Sequence, residues 1–251
     1  MSSPIMTQVQ FALRHQTALV TGGGEGIGRA IALALGRVGI HVCVNDINPD
    51  TCDEVAQEIC AAGGRAFGYQ MDISNRYQAS ALIEEARDQL GKVDILVNAA
   101  AVLKRGDALK LDEWDWRRVI EVNLTGTFFM SQLLGRVMVE QGGGVIINLA
   151  SHLAGFGVAG DGVSYLASKG GVVALTRQLA HELGANGVRV HALCHGNVDV
   201  PFGYELNPHA NTLHRLGNVD EVAQVALFLC SEGASFMNGQ AIHVDGGQFV
   251  G

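Results

Sequence analysis

The sequence has no apolar run that approaches the ~18 residues needed to span a membrane. Its five cysteines form no C-x-x-C pair, and the chain begins without the apolar segment of a signal peptide. These absences argue against a membrane-spanning or disulfide-stapled secreted protein. We therefore expect reduced thiols and a cytoplasmic location.

Positive charge is also scarce. There are 17 Lys and Arg residues against 25 Asp and Glu residues, which gives a formal net charge of −8. This balance argues against nucleic acid or an anionic membrane as a partner, because both require a basic face. The 251 residues contain no repeat, linker or low-complexity segment. We expect a loose tail at residues 1–14, one domain at 15–251, and no metal site.

Predicted strands and helices alternate along the chain. Short apolar runs predict strands, and longer runs with helical periodicity fall between them. Regular alternation of this kind is typical of an α/β protein with a doubly wound parallel sheet. The predicted strands are 16–21, 40–46, 65–71, 92–98, 144–150, 188–194 and 241–247, and the predicted helices are 26–38, 50–62, 76–90, 112–140, 164–183 and 220–230.

A glycine-rich segment, GGGEGIG, joins the first predicted strand to the first helix. Such a turn forms an anion site, because unpaired backbone N–H groups and the helix dipole face the same point. Together with a second strand about 20 residues further on, this is the fingerprint of a dinucleotide site. The residues expected to contact the cofactor here are Gly22, Gly24, Glu25, Gly26, Ile27 and Gly28.

Asp46 ends the second predicted strand. A carboxylate at this position accepts hydrogen bonds from the hydroxyls of an adenosine ribose, and its charge repels a 2′-phosphate. The negative charge of Glu25, inside the glycine loop, also disfavours a 2′-phosphate. Both residues favour NAD over NADP. The alternative is that Asp46 only caps the helix that begins near Pro49.

Two further strand ends carry candidate cofactor contacts. Asp72, followed by Ile73, can accept from an adenine amino group or can cap the next helix, and the sequence does not choose between these interpretations. Asn98, Ala99 and Ala100 end the fourth strand with small residues, which leave room for a flat ring. A plain strand-end turn is the alternative there.

Tyr165 and Lys169 lie four residues apart in a predicted helix, so they share one face. A free tyrosine has a pKa of about 10, and a neighbouring ammonium lowers it by favouring the phenolate. Tyr165 is therefore a candidate to exchange a proton with a hydroxyl or carbonyl oxygen. Ser151 ends an apolar strand, where open α/β sheets bind their ligands. Taken alone, this tyrosine–lysine spacing also occurs by chance in many helices.

Together these features resemble the short-chain dehydrogenase/reductase family over nearly the whole chain, from 21 to 247. The shared motifs are TGGGEGIG, Asp46, NAA at 98–100, VNLTG with Asn123, Ser151, Y-x-x-x-K and NGQAIHVDGG. The resemblance implies a single-domain Rossmann fold, with a seven-stranded parallel sheet in the order 3-2-1-4-5-6-7 and helices on both faces.

The resemblance also implies a role for each of four residues. Tyr165 would be the acid/base, and Ser151 would hold the substrate oxygen. Lys169 would lower the tyrosine pKa and bind the nicotinamide ribose. Asn123 would bend the long helix and hold a water that links Lys169 to solvent, although a satisfied core amide is the alternative for this residue.

The chain departs from the family pattern at its sixth strand. His195-Gly196 stands where the family usually has Pro-Gly, and Val200 replaces a hydroxyl-bearing residue. Gly196 and the backbone N–H of Val198 remain expected contacts for the nicotinamide carboxamide.

Ser151 and Tyr165 are 14 residues apart, one more than expected, so a glycine-rich loop at 155–162 would absorb an insertion. The segment 200–216 predicts a short lid over an open pocket, whose expected wall residues are His152, Leu153, Phe156, His195, Phe202 and Tyr204.

The leading hypothesis is an NAD-dependent oxidoreductase that interconverts a secondary alcohol and a ketone. A 3-oxoacyl-acyl-carrier-protein reductase is the alternative, but that role normally uses NADPH and a basic docking patch, which Asp46, Glu25 and the acidic balance disfavour. A non-catalytic NAD-binding sensor is a third possibility. The helix at 164–183 is apolar or small nearly all round, which predicts a homodimer contact and, as in the family, a homotetramer.

Overall fold

The computed structural model describes residues 13, 16–154, 162–200 and 206–249. Its centre is one parallel sheet with strand order β3-β2-β1-β4-β5-β6-β7, which confirms the predicted topology. The strands are β1 (Thr17–Thr21), β2 (His41–Asp46), β3 (Ala66–Gln70), β4 (Ile95–Asn98), β5 (Gly144–Ser151), β6 (Val188–His195) and β7 (Ala241–Val244).

Seven α-helices connect the strands within the described residues. Their ends lie within about two residues of the predicted ones, except that the helix predicted at 112–140 is divided by a π-helical turn, Glu121–Gly126. The helices are α1 (Gly26–Arg37), α2 (Pro49–Ala61), α3 (Arg76–Leu90), α4 (Glu113–Ile120), α5 (Thr127–Glu140), α6 (Val163–Leu183) and α7 (Val219–Cys230).

The sheet is covered on both faces. Helices α1, α2 and α7 form one hydrophobic core with the sheet, and α3, α5 and α6 form a second core on the other face. Leu19 and Val20 are neighbours on β1 and point to opposite faces, yet neither is exposed. Burial of each such side chain stabilises the fold by about 1.5–3 kcal/mol. Because both faces are covered, the strands read as continuous apolar runs instead of alternating ones.

The strand order reverses at β1, which pairs with β2 on one side and with β4 on the other. Chain segments leaving neighbouring strands at such a reversal turn to opposite faces and leave a crevice at the carboxyl ends of the strands. The sheet topology therefore places the ends of β1, β2, β4 and β5 around one crevice.

Helices of the described part of the chain are too short or too polar to cross a membrane. All five cysteines are free thiols.

Candidate active site

A cleft of about 360 Å³ lies at the carboxyl edge of the sheet. The cleft runs from the glycine loop to α6, so it brings together most of the residues singled out from the sequence. Those that line it are Gly22, Glu25, Gly26, Ile27, Gly28, Asp46, Asp72, Ile73, Ala99, Ala100, Tyr165 and Lys169.

Two glycines of the loop, Gly22 and Gly28, leave no room for a side chain. Gly22 has a φ of +62°, and a Cβ there would lie 2.5 Å from the Cα of Ala100. A Cβ on Gly28 would collide with the carbonyl oxygen of Gly22. The side chain of Glu25, which precedes α1, makes no capping hydrogen bond. The loop thus brings bare backbone and the start of α1 to the cleft, which is the arrangement that binds a phosphate.

Asp46 connects this loop to the end of β2. Its Oδ2 accepts a hydrogen bond from the backbone N–H of Gly24 at 3.0 Å, and its Oδ1 accepts from the N–H of Asn48 at 3.2 Å. Gly24 itself does not line the cleft. The residue that caps α2 is Asn48, which accepts from the N–H of Asp50. The capping alternative for Asp46 is therefore wrong, and Asp46 lines the cleft.

Asp72 lies beyond β3 and is held from two sides. Its Oδ1 accepts from the backbone N–H and hydroxyl of Ser74, at 2.9 and 2.6 Å, and its Oδ2 accepts from the Arg118 guanidinium at 3.3 Å. Partial burial acts to raise the pKa of Asp72, but the hydrogen bonds from Ser74 and the charge of Arg118 outweigh it, so the pKa lies below its ordinary value. Asn75 caps α3, so the capping alternative for Asp72 is also wrong.

Asn98 differs from its two neighbours. Ala99 and Ala100 line the cleft, whereas Asn98 is 2% exposed and lies beneath it. The Asn98 amide donates to Asn148 Oδ1 at 2.8 Å and to Ser131 Oγ at 3.0 Å. Its side chain therefore joins β4 to β5 and α5 and does not form part of the cleft wall.

Tyr165 and Lys169 lie on the face of α6 that closes the cleft. Lys169 is 2% exposed, and its Nζ donates to the carbonyl oxygen of Leu149 at 2.7 Å. The same Nζ lies 5.7 Å from the centre of the Tyr165 ring. Burial lowers the pKa of Lys169 to about 8, so the ammonium is still largely protonated at pH 7. A buried positive charge beside a phenol favours the phenolate.

Ser151 is the last residue of β5 and is 3% exposed. Its Oγ accepts from the backbone N–H of Leu153 at 3.2 Å. In the register of β5 and β6, Ser151 lies directly beside His195. The hydroxyl is therefore at the carboxyl edge of the sheet, next to the cleft.

Asn123 lies in the π-helical turn between α4 and α5 and is fully buried. Its Oδ1 accepts from the N–H of Val102 at 2.8 Å, and its Nδ2 donates to the carbonyl of Val102 and to Ser168 Oγ, at 3.0 and 3.1 Å. The helix is thus distorted where a local bend was expected, and π turns occur often at functional sites. Both N–H groups of this amide have protein partners, as the core-amide alternative requires, and the second lone pair of Oδ1 is left to accept from a water.

The end of β6 places His195 and Val200 in the cleft wall, whereas Gly196 and Val198 lie outside it. A Cβ on Gly196 would lie 2.7 Å from the Cα of Asp245, so only glycine fits there. Val198 is 3% exposed and bridges to Gly217. The two departures from the family pattern therefore lie in the cleft itself.

The comparisons with known proteins agree with this geometry. A family model described as enoyl-(acyl carrier protein) reductase matches residues 22–248. The chain belongs to the short-chain dehydrogenase/reductase family. It is 34% identical to a 3-oxoacyl-acyl-carrier-protein reductase of Thermotoga maritima, over 95% of this chain and 99% of that one. It is 35% identical to a D-threitol dehydrogenase of Mycolicibacterium smegmatis, over 98% of this chain and all of that one.

The solved structure of a dehydrogenase also matches. It is a 7α-hydroxysteroid dehydrogenase complexed with NADH and 7-oxoglycochenodeoxycholic acid, with a TM-score of 0.89 and 36% identity. The match covers 94% of this chain and 95% of that one. The protein is therefore an oxidoreductase of this family, similar to 3-oxoacyl-acyl-carrier-protein reductases.

Part of the expected substrate pocket lies outside the described residues. This applies to Phe156, Phe202 and Tyr204, and to most of the glycine-rich loop and part of the lid. His152 is 4% exposed, and its Nδ1 is 3.1 Å from the carbonyl oxygen of His195. Burial lowers the pKa of His152. Side chains of the described residues contain no cluster of His, Cys, Asp and Glu suited to a metal ion.

Arg118 is a residue of the cleft that the sequence patterns did not indicate. This residue lines the cleft and pairs with Asp72, which lies 46 residues earlier in the chain. The sequence offers no periodic or spacing signal for that pair, because only the packing of α4 beside the end of β3 brings them together.

Proposed function

We propose that the protein is an NAD-dependent oxidoreductase that interconverts a secondary alcohol and a ketone, with Tyr165 as the acid/base. The observation that carries the proposal is the buried Lys169 ammonium beside the Tyr165 ring, at one end of a cleft whose other end is the glycine loop.

The described residues fit a dinucleotide. The glycine loop would hold the pyrophosphate, because its glycines leave room for a close approach to the backbone. Asp46 would accept from the adenosine ribose hydroxyls, and Asp72, fixed by Arg118, would face the adenine. Ile73, Ala99 and Ala100 would supply the apolar wall of the cleft.

The preference for NAD follows from charge. Asp46 lines the cleft with one carboxylate oxygen already bound to Gly24 N–H, so the side chain cannot turn away without losing that bond. Glu25 adds a second acidic group at the loop. Arg118 is the one described cation of the cleft wall near Asp72, and its guanidinium is already paired there. A 2′-phosphate would therefore meet acidic groups.

The proton chemistry is assigned to four side chains. Tyr165 would take the proton from a substrate hydroxyl during oxidation and return it during reduction. Ser151 would hold the substrate oxygen. Lys169 would favour the phenolate and hold the ribose of the nicotinamide, and Asn123 would hold the water that connects Lys169 to solvent. The bound nicotinamide would supply the hydride acceptor or donor.

A second candidate is 3-oxoacyl-acyl-carrier-protein reduction. It is favoured by the similarity to the Thermotoga maritima reductase along nearly all of both chains. The relatives named as dehydrogenases of threitol and of a hydroxysteroid favour a free alcohol. Asp46 in the cleft favours the alcohol assignment, because the family resemblance links acyl-carrier-protein reduction with NADPH.

One experiment separates the two candidates. Polyols, cyclic alcohols and hydroxysteroids are screened with NAD and with NADP, and formation of the reduced nicotinamide is followed by absorbance. In parallel, acetoacetyl-acyl-carrier protein is offered with NADH and with NADPH. The proposal predicts turnover of an alcohol with NAD. Turnover confined to the acyl-carrier protein with NADPH would contradict it.

We further propose that the chain forms a homotetramer, a dimer of dimers, and that it works in the cytoplasm. One side of α6 is buried against the sheet, whereas Ala167 and Ala174 on the other side are exposed. Small exposed residues allow a second helix to approach closely. The five free thiols support a reducing compartment.

A further inference from the structure

His195 is a polar residue of the cleft that the proposed chemistry does not use. It is the last residue of β6, and its half-buried side chain lines the cleft together with Tyr165 and Lys169. Its Nδ1 lies 2.9 Å from the carbonyl oxygen of Gly196. A carbonyl oxygen only accepts hydrogen bonds, so this contact places the proton on Nδ1. In the neutral ring, Nε2 then carries the lone pair and is an acceptor.

The surroundings of His195 keep its ring neutral. Burial lowers the pKa of His195 to about 4, because it disfavours the charged imidazolium. The positive charge of Lys169 also lowers the pKa of His195. At neutral pH the residue therefore presents an acceptor, without a competing positive charge.

Few other acceptors are available at this end of the cleft. Among the described residues there, Leu149, Val122 and Val200 contribute aliphatic side chains. Tyr165 and Lys169 are already assigned to the proton and the ribose. Ser151, although beside His195 in the strand register, does not line the cleft. Nε2 of His195 is thus the side-chain acceptor left for the flat ring that the cleft is proposed to hold.

A nicotinamide ring carries a carboxamide, whose amide nitrogen has two N–H donors and whose oxygen is an acceptor. We propose that Nε2 of His195 accepts a hydrogen bond from this amide N–H and thereby orients the nicotinamide ring relative to Tyr165. The inference rests on the proposed NAD binding. It assigns His195 as a positioning residue and a determinant of cofactor recognition.

The test removes the N–H from the cofactor and the acceptor from the protein. In 3-acetylpyridine adenine dinucleotide a methyl group replaces the amide nitrogen, while the carbonyl oxygen remains. Calorimetry gives the affinity of both dinucleotides for the wild type, His195→Leu and His195→Gln. The glutamine amide oxygen reaches about as far as Nε2 and is also an acceptor. His41→Leu, at the amino end of β2 and therefore at the edge of the sheet opposite the cleft, is the matched control.

The wild type should bind NAD about fivefold more tightly than the acetyl analogue, because a net hydrogen bond contributes about 1 kcal/mol and the analogue's methyl group leaves Nε2 without a donor. His195→Leu should abolish that difference by weakening NAD alone. His195→Gln should retain most of the difference, and His41→Leu should leave it unchanged.

Three results would overturn the inference. The first is a wild type without preference between the two dinucleotides, a result that needs no variant to fold. The second is that His195→Leu weakens binding of both dinucleotides by one common factor, which would indicate general packing. The third is that His195→Leu keeps both affinities and raises the KM for the alcohol, which would place His195 against the substrate. Failure of the wild type to bind NAD at all would refute the proposed function itself.

Discussion

Burial of Lys169 has an energetic cost that can be measured. Its pKa falls from 10.5 to about 8, and at ~1.4 kcal/mol per pH unit this corresponds to about 3 kcal/mol of lost stability at pH 7. Lys169→Met removes the charge and keeps an unbranched apolar chain. It also removes the hydrogen bond to Leu149, which costs about 1 kcal/mol. The variant should therefore be more stable by about 2 kcal/mol, or about 4–8 °C in Tm for a chain of this size.

The stability difference should depend on pH. The folded protein releases the Lys169 proton above about pH 8, whereas the unfolded chain keeps it up to about pH 10.5. Between these values the unfolded state binds more protons, so the stability of the wild type rises with pH. Lys169→Met lacks this contribution. Its advantage should be fully present at pH 7 and should have nearly vanished by pH 10.

Urea denaturation without cofactor, at equal protein concentrations and at pH 7 and pH 10, gives the required free energies of unfolding. Lys110→Met, at an exposed position, is the control and should change neither value. The reasoning is refuted if Lys169→Met is less stable than the wild type at pH 7. It is also refuted if the difference between the two proteins is the same at both pH values.

Two further predictions concern the cofactor and the assembly. Catalytic efficiency should be at least tenfold higher with NAD than with NADP, since repulsion by Asp46 is worth at least ~1.4 kcal/mol, and Asp46→Asn should reduce that ratio. Steady-state kinetics with both cofactors on one alcohol measures it, and equal efficiencies would remove the assigned role of Asp46. Light scattering should give the mass of four 26.5 kDa chains, whereas a clean monomer at micromolar concentration would contradict the proposed contact of α6.

Local patterns were enough to predict a doubly wound parallel sheet, because apolar strands and helices alternate along the chain. The strand order was predicted from the family resemblance, which rests on short segments such as the glycine loop and the Tyr165–Lys169 spacing. The π turn at Asn123 was expected as a bend through the family resemblance, while its form depends on contacts with Val102 and Ser168. Those contacts join three segments of the chain.

The side-chain contacts that the sequence did not reveal depend on choices between neighbouring residues or on distant contacts. Asp46 and Asn48, like Asp72 and Asn75, are pairs of equally good capping residues, and only the backbone geometry selects the second member of each pair. Asn98 looked like a cleft residue because it ends a strand, but its amide is used by Asn148 and Ser131. Such long-range hydrogen bonds leave no local pattern.

The central claim is that Tyr165 carries the proton, and Tyr165→Phe tests it most directly. The variant keeps the ring and loses only the hydroxyl, so NAD affinity, measured by calorimetry or tryptophan fluorescence, should stay nearly unchanged. Turnover should fall by about 10²–10⁴-fold. In the wild type, alcohol oxidation should rise with pH through one ionisation below the ~10 of free tyrosine. Substantial activity in Tyr165→Phe, with the pH profile unmoved, would show that another group carries the proton and would contradict the account.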